Sequence, residues 1–575
     1  MSDNPRLQPP GSNALFGWLR SYRRAWLTGD LTAGLVLSIM VIPQSMAYAM
    51  LAGMPVQVGL YASLLPLLGY ALLGSSMSMS VGPVAVTGLM TATLLTPLAS
   101  FGSPDYLQLA VWLALLSGIL LFVLGLLRLG FLANFLSHPV ISGFISGAAI
   151  LIILSQLPSL LGREALPHSL NELVQEWQQV NSLVLGMGVL ALAWLLYARS
   201  AMAGHLQQLG LPGALATLLA RLAPIVVVVL AVWITWHFDL AAQGVPVVGH
   251  LPAGLPALVW STPGLGDLRQ LLLPAALISL VTFVESVSIA QSLARRKRQS
   301  INPDRELLGL GAANLGSAIT GGFAVAGGFS RSSVNIEAGA NTPLAGVIAA
   351  GFIAVILLTV APLFAYLPLV LLAAVIMVAV TPLIDLRSLT RAWRYDRAEG
   401  LTLLSTLLGV LILGVEGGIV LGVCWSIVAQ LWRGSRPHVA VVGRVPDTHY
   451  FRNTKRHLVE TVPHLLALRI DENIFFANTK AVEQAIYQAL ADYPDTREVL
   501  LILSAVNHID STGLDMLSEL TEGLGERGIH LHLAEVKGPL MDHLEQTDWI
   551  TRQVDQLFPS THIAFNTLAE LKRSD

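Results

Sequence analysis

Charge is what this chain has least of. Of its 575 residues, 12% are Asp, Glu, Lys or Arg, about half of the ~25% usual in a soluble domain. No charged residue and no histidine falls between Leu31 and Pro104. At roughly 20 residues per span, that stretch has room for about three membrane helices. Cysteine is reduced to Cys424, set in an apolar run, which excludes an intrachain disulfide and a Cys-based zinc site. The net charge of −3 gives no case for nucleic acid or another polyanionic partner. An apolar core is missing from the amino end, MSDNPRLQPPGSNALFGWLRSYRRAW, so no secretory signal is expected. A metal-ligand cluster, a nucleophile–base pair and a phosphate-binding P-loop are equally missing, so neither an enzyme nor a cofactor or metal is expected.

What the chain does have is apolar length: 54% of it is hydrophobic and the mean hydropathy is +0.66. Charge-poor segments predict fourteen helical stretches. Seven run at about 31–50, 56–73, 83–99, 106–127, 135–157, 178–198 and 222–238. The other seven run at about 270–293, 306–321, 329–341, 343–361, 366–383, 399–415 and 417–433. The third and tenth are short, follow Gly/Ser-rich approaches (GSSMSMSVGP and GGFAVAGG), and hold the same place in two halves of seven. Corresponding broken helices of this kind point to an inverted repeat with a site at the bilayer midplane. The symmetry rests on this pattern, without a residue-by-residue repeat.

Positive residues cluster at alternate ends. Arg20, Arg23 and Arg24 precede the first stretch, and Arg128, Arg199, Arg295–Arg298 and Arg387–Arg397 follow even-numbered ones. Odd-numbered connections carry little basic charge beyond Arg163, which Glu164, Glu172 and Glu176 accompany. The positive-inside rule then predicts both termini in the cytoplasm. Trp233 and Trp236 suit an interfacial aromatic belt.

Past Arg436-Pro437 the composition becomes that of a soluble domain. Strand-like runs at His438–Val442, Leu465–Ile470, Val499–Leu503 and Ile529–Ala534 alternate with amphipathic helical runs. That alternation predicts an α/β domain. Three parts are thus expected: a cytoplasmic segment 1–29, a membrane domain 30–433 and a cytoplasmic domain 437–575. In the last, Asp510 or Ser511 should cap a helix beginning near Gly513.

The stretch around which the rest is organised is Gly321–Asn335, GGFAVAGGFSRSSVN. A helix is not expected to run through Gly327-Gly328, since each glycine costs about 1 kcal/mol relative to alanine. A new helix starting at Phe329 in mid-membrane would aim free N–H groups and its positive dipole end inward. That is an anion site, and Arg331 adds a full positive charge. Val84, Ala85 and Val86, after Pro83, would open the third stretch in the same way. Gln44 follows Pro43 in the first stretch and needs a hydrogen-bond partner there, and Tyr48 stands one turn on. Glu285 is the only charge between Gln270 and Ala294. Burial and a nearby Arg331 would pull its ionisation in opposite directions, so it is a candidate ion-coupling group. A permanent Glu285–Arg331 salt bridge is the competing reading.

The motifs Ile42–Ala49 (IPQSMAYA), Pro55–Ser63 (PVQVGLYAS), Gly74–Val86, Phe329–Gly339 (FSRSSVNIEAG) and Asp510–Gly513 (DSTG), in this order, resemble the sulfate permease (SulP) family of anion transporters. The family ends in a STAS domain. Met77 departs from its pattern, which usually has a basic residue there. The resemblance implies an all-α membrane domain of fourteen segments in a 7+7 inverted repeat, followed by an α/β STAS domain. It implies that the two half-helix starts converge on substrate, lined by Val84, Ala85, Val86, Phe329 and Ser330. Arg331 would supply a positive field, Gln44 a ligand and Tyr48 a wall. An acidic residue on the eighth helix, here Glu285, is associated with the coupling ion. Thr512 matches a position phosphorylated in related bacterial regulators. Helices 1–4 and 8–11 would move against a gate of the others, and a homodimer is implied.

Proton-coupled sulfate uptake across the inner membrane is the expected activity. Sodium-coupled bicarbonate transport, with Thr282 and Ser286 completing a sodium site, and proton-coupled dicarboxylate transport are alternatives. A passive anion channel and a membrane-tethered regulator are the other classes left open.

Overall fold

The computed structural model describes residues 17–135, 137–163, 181–259, 264–551 and 557–571. The start of the sixth expected stretch, together with Glu164, Glu172 and Glu176, lies outside them. The chain forms two compact units, Met1–Val423 and Cys424–Asp575.

The first unit is helical, and each of the fourteen expected stretches has a helical counterpart among the described residues. Its helices are α1 (Leu27–Leu51), α2 (Val56–Leu73), α3 (Ala85–Leu95), α4 (Pro104–Leu126), α5 (His138–Leu160) and α6 (Ser182–Gln208). They continue with α7 (Gly213–His237), α8 (Leu265–Lys297), α9 (Pro303–Ile319), α10 (Phe329–Glu337), α11 (Leu344–Thr359) and α12 (Leu369–Val380). The last, α13 (Arg397–Gly434), is broken at Gly414, whose φ of +81° is a left-handed value that glycine tolerates. That break separates the thirteenth stretch from the fourteenth.

Eight of the described helices are long and apolar enough to cross a membrane. Leu190, Leu273 and Ile412 are each more than two-thirds exposed, which suits a hydrocarbon surround rather than water. Inside, small residues let helices approach closely. A Cβ on Gly311 of α9 would lie 2.7 Å from the Phe122 nitrogen of α4, and one on Gly118 would lie 2.8 Å from that of Leu315. Helices α3 and α10 are the shortest of these thirteen, at eleven and nine residues. Each is preceded by a two-residue strand, β1 (Val81–Gly82) and β2 (Ala326–Gly327).

The second unit holds a six-stranded sheet. Its strands are β3 (Val439–Arg444), β4 (Phe451–Asn453), β5 (Leu465–Ile470), β6 (Glu498–Ile502), β7 (His530–Ala534) and β8 (Leu557–Phe558). The order is β4-β3-β5-β6-β7-β8; β5 through β8 run parallel and β3 is antiparallel to both neighbours. The four expected strands are present, and β4 and β8 are additional; at three and two residues they are too short to show an alternating pattern. Helices α14 (Thr479–Asp492), α15 (Ser511–Gly525) and α16 (Gly538–Leu544) pack on one face. Helix α17 (Thr561–Glu570) packs on the other, against Ala440, Val442, Leu465 and Ala467.

Candidate functional site

The two interrupted segments meet head to head. Strands β1 and β2 pair antiparallel, Val81 opposite Gly327 and Gly82 opposite Ala326, about 4.8 Å apart as strands are. Each leads within a few residues into a helix. Val84 precedes α3 with extended dihedrals (φ −132°, ψ 157°), and Gly328 precedes α10 likewise (φ −101°, ψ 117°). Neither helix has a side-chain cap, so the N–H groups of its first turn lack an intrahelical acceptor. Two positive dipole ends are therefore brought to one place.

Side chains from three helices hold this crossing. The Asn314 amide of α9 donates to the Val325 carbonyl at 3.0 Å, and its Oδ1 accepts from the Val325 N–H at 3.0 Å. Ser286 Oγ of α8 accepts from the Gly327 N–H at 2.9 Å. From α10, Ser332 Oγ accepts from the Ser80 N–H at 2.9 Å, and the Asn335 amide donates to the Ser78 carbonyl at 3.0 Å. Further back, buried Glu306 accepts from the N–H groups of Ser75 and Ser76, from Ser75 Oγ and from the Tyr70 hydroxyl. Of the side chains that make these contacts, the sequence singles out only Ser286, and for sodium. The available signal was that an amide or carboxylate in an apolar helix must find partners.

Arg331 is 2% exposed, and its guanidinium lies against both strand ends. A Cβ on Gly328 would sit 2.7 Å from its Nε, and one on Gly82 would sit 3.0 Å from an Nη. Glycine at both positions lets the guanidinium rest there without shifting. The other Nη is buried and makes no hydrogen bond. Beside Arg331 the neighbouring residues open outward: Phe329 is 40% exposed and Ser330 is exposed. On α3, by contrast, Val84, Ala85 and Val86 are all buried.

Gln44 and Tyr48 are buried on α1. Glu285 is 9% exposed, with an Oε buried and unpartnered. Glu285 and Arg331 are not among the ion pairs of the described residues, and each has one buried terminal atom without a hydrogen-bond partner. Glu285 borders a cavity of about 20 Å³ otherwise lined by apolar residues of α5, α8 and α13, among them Phe144, Val281 and Ile419. That is room for about one water. Thr282 Oγ, one turn earlier on α8, is buried without a partner. The structure thus gathers Arg331 and the two helix starts, buries Gln44 and Tyr48 on α1 and Glu285 on α8, and leaves Thr512 in the second unit. There Asp510 caps α15, accepting from the Gly513 N–H at 2.8 Å, and Thr512 is exposed beside it.

The family model described as the sulfate permease family matches residues 27–406, and the STAS domain model matches residues 457–564. The chain belongs to the sulfate permease family. It is 36% identical over 538 residues to a probable sulfate transporter of Mycobacterium tuberculosis, covering 91% of this chain and 92% of that one. It is 36% identical over 544 residues to the chloroplastic sulfate transporter 4.1 of Arabidopsis thaliana, covering 90% of this chain and 77% of that one. In fold it is similar to murine Solute Carrier 26 family member A9, an anion transporter solved in the inward-facing state. The TM-score is 0.88 at 21% identity, over 97% of this chain and 93% of that one. The transmembrane domain of the cyanobacterial bicarbonate transporter BicA gives a TM-score of 0.58 at 23% identity, over 71% of this chain and 98% of that one. The chain is a multi-pass membrane protein of this family, with a mostly helical membrane domain and a STAS domain.

Proposed function

We propose that this protein is a secondary active transporter that takes up sulfate together with protons across the inner membrane. The observation that carries the reading is the joint of β1 and β2, which sets two uncapped helix starts beside Arg331, one Nη of which is buried without a hydrogen-bond partner. A small oxyanion would accept from the free N–H groups of both helices, from Ser330 and from Gln44, with Tyr48, Val84, Ala85, Val86 and Phe329 as walls. Relatives more than 30% identical that bear the name sulfate transporter support sulfate as the substrate.

Glu285 is the proposed proton carrier. Its neighbour Ser286 holds Gly327, one residue before the cap of α10, so a change of charge at Glu285 acts directly on the element that holds the anion. Alternating access, by movement of helices α1–α4 and α8–α11 against the others, completes the cycle. The STAS domain lies in the cytoplasm, two copies of the chain form the working unit, and Thr512 is a regulatory phosphorylation position.

The test is uptake of labelled sulfate into proteoliposomes with and without an inward proton gradient. The gradient should stimulate uptake, and Glu285→Gln should abolish that stimulation while sulfate exchange persists. Undiminished gradient-driven uptake by the variant removes Glu285 from the coupling step. The unpartnered hydroxyl of Thr282, one turn from Glu285, favours sodium-coupled bicarbonate uptake as the second reading. Stimulation by sodium, with none by protons, would select it.

A further inference from the structure

The second unit holds a cavity of about 160 Å³ lined by His438, Arg452, Asn453, Arg456, His457 and Arg469. Three arginines and two histidines share one small space, and no carboxylate is among the lining residues. The volume is well below the roughly 300–1,000 Å³ typical of sites for drug-sized molecules. It suits a group the size of phosphate or sulfate.

Local backbone structure builds this cavity. Strand β5 lies against β3 with Arg469 opposite Ala440, and β4 lies on the other side with Asn453 opposite Val442. Alternation along the strands places His438 and Arg469 on the face that carries α17, beyond Ala440 and Ala467. The turn after β4 is folded back tightly. The N–H groups of Arg456 and His457 both donate to the Asn453 carbonyl at 3.1 Å, and Asn453 Oδ1 accepts from the Lys455 N–H at 2.8 Å. Asp471 fixes two of the lining groups, accepting from Arg469 at 2.5 and 3.0 Å and contacting His438 Nδ1 at 2.8 Å. The side chains of Arg452 and Arg456 are exposed and make no ion pair among the described residues.

We propose that this cavity binds a tetrahedral oxyanion group, a phosphate or sulfate, gripped by the forked guanidinium groups of Arg452 and Arg456. Arg469, held by Asp471, and the two histidines complete the ring of donors. The group comes either from a free ion in solution or from the headgroup of an anionic lipid. The site is separate from the joint of β1 and β2 and makes the second unit a sensor of anions rather than a passive appendage.

The experiment uses the full chain in nanodiscs of neutral lipid, titrated calorimetrically with inorganic phosphate and, in a second arm, with dihexanoyl phosphatidic acid. The double variant R452Q/R456Q should lose at least tenfold in affinity for at least one probe, with an unchanged thermal unfolding midpoint. Loss for both probes, or for inorganic phosphate alone, assigns a free ion; loss only for the lipid assigns the headgroup. Arg331→Gln, which disables the proposed transport site, should retain this binding, so failure of that reading is read separately. Equal affinities of wild type and double variant for both probes overturn the proposal.

Discussion

Helix α3 begins with Val84, Ala85 and Val86, all buried and apolar, whereas α10 begins with exposed Phe329 and Ser330 and buried Arg331. Both starts lack a side-chain cap, and both follow a strand of two residues. The backbone offers the same donors from either side, but the side chains divide the work. One start is buried and apolar, and the other carries a charge beside two exposed residues. The difference shows that two segments with matching backbones can be specialised by three residues each.

Five substitutions bear on that contrast, and the largest effect belongs to the charge. Arg331→Gln should weaken sulfate uptake at low substrate by roughly tenfold to a hundredfold, from the ~1.5–3 kcal/mol of a hydrogen bond to a charged group. An uptake rate close to wild type would make Arg331 structural. Next is Gly328→Ala, whose methyl would stand 2.7 Å from Arg331 Nε and displace the guanidinium. About a tenfold loss is expected in the same assay, and Gly82→Ala, whose methyl would stand 3.0 Å from an Arg331 Nη, should cost less. Reversal of that order would show that the guanidinium does not rest where the two glycines meet it.

Asn314→Ala removes both hydrogen bonds to Val325 and should lower stability by about 1–3 kcal/mol, read as a fall in thermal unfolding midpoint. The smallest change is expected from Val84→Ala on the walled side, which deletes no donor: sulfate affinity should stay within about threefold. A loss as large as that of Arg331→Gln would erase the asymmetry between the two starts.

Much of this was legible in the chain. The charge-free run from Leu31 to Pro104 and the Arg clusters marked out the helices, because a bilayer penalises charge and leaves a long, simple signature. Gly327-Gly328 and Pro83 marked the two breaks, because those residues act on the backbone locally. What holds the breaks was not legible. Asn314 is eleven residues from Val325, Ser286 is forty-one from Gly327, and Ser332 is 252 from Ser80. Such pairings depend on which helices pack together, and a single sequence carries no period or motif for that. The salt bridge weighed for Glu285 and Arg331 failed to form for a related reason. Charge complementarity says that two groups attract, while helix packing decides whether they touch.

The ladder between β1 and β2 is made of peptide groups alone. No exchange of one side chain for another removes a peptide N–H or carbonyl, proline excepted. The strand pairing itself therefore survives most exchanges of side chain, while Asn314, Ser286 and Ser332, whose side chains hold the joint in place, are the positions where sequence drift would loosen it. Under the proposed function, the anion such a scaffold takes would be retuned through its walls, with the strand pairing left in place.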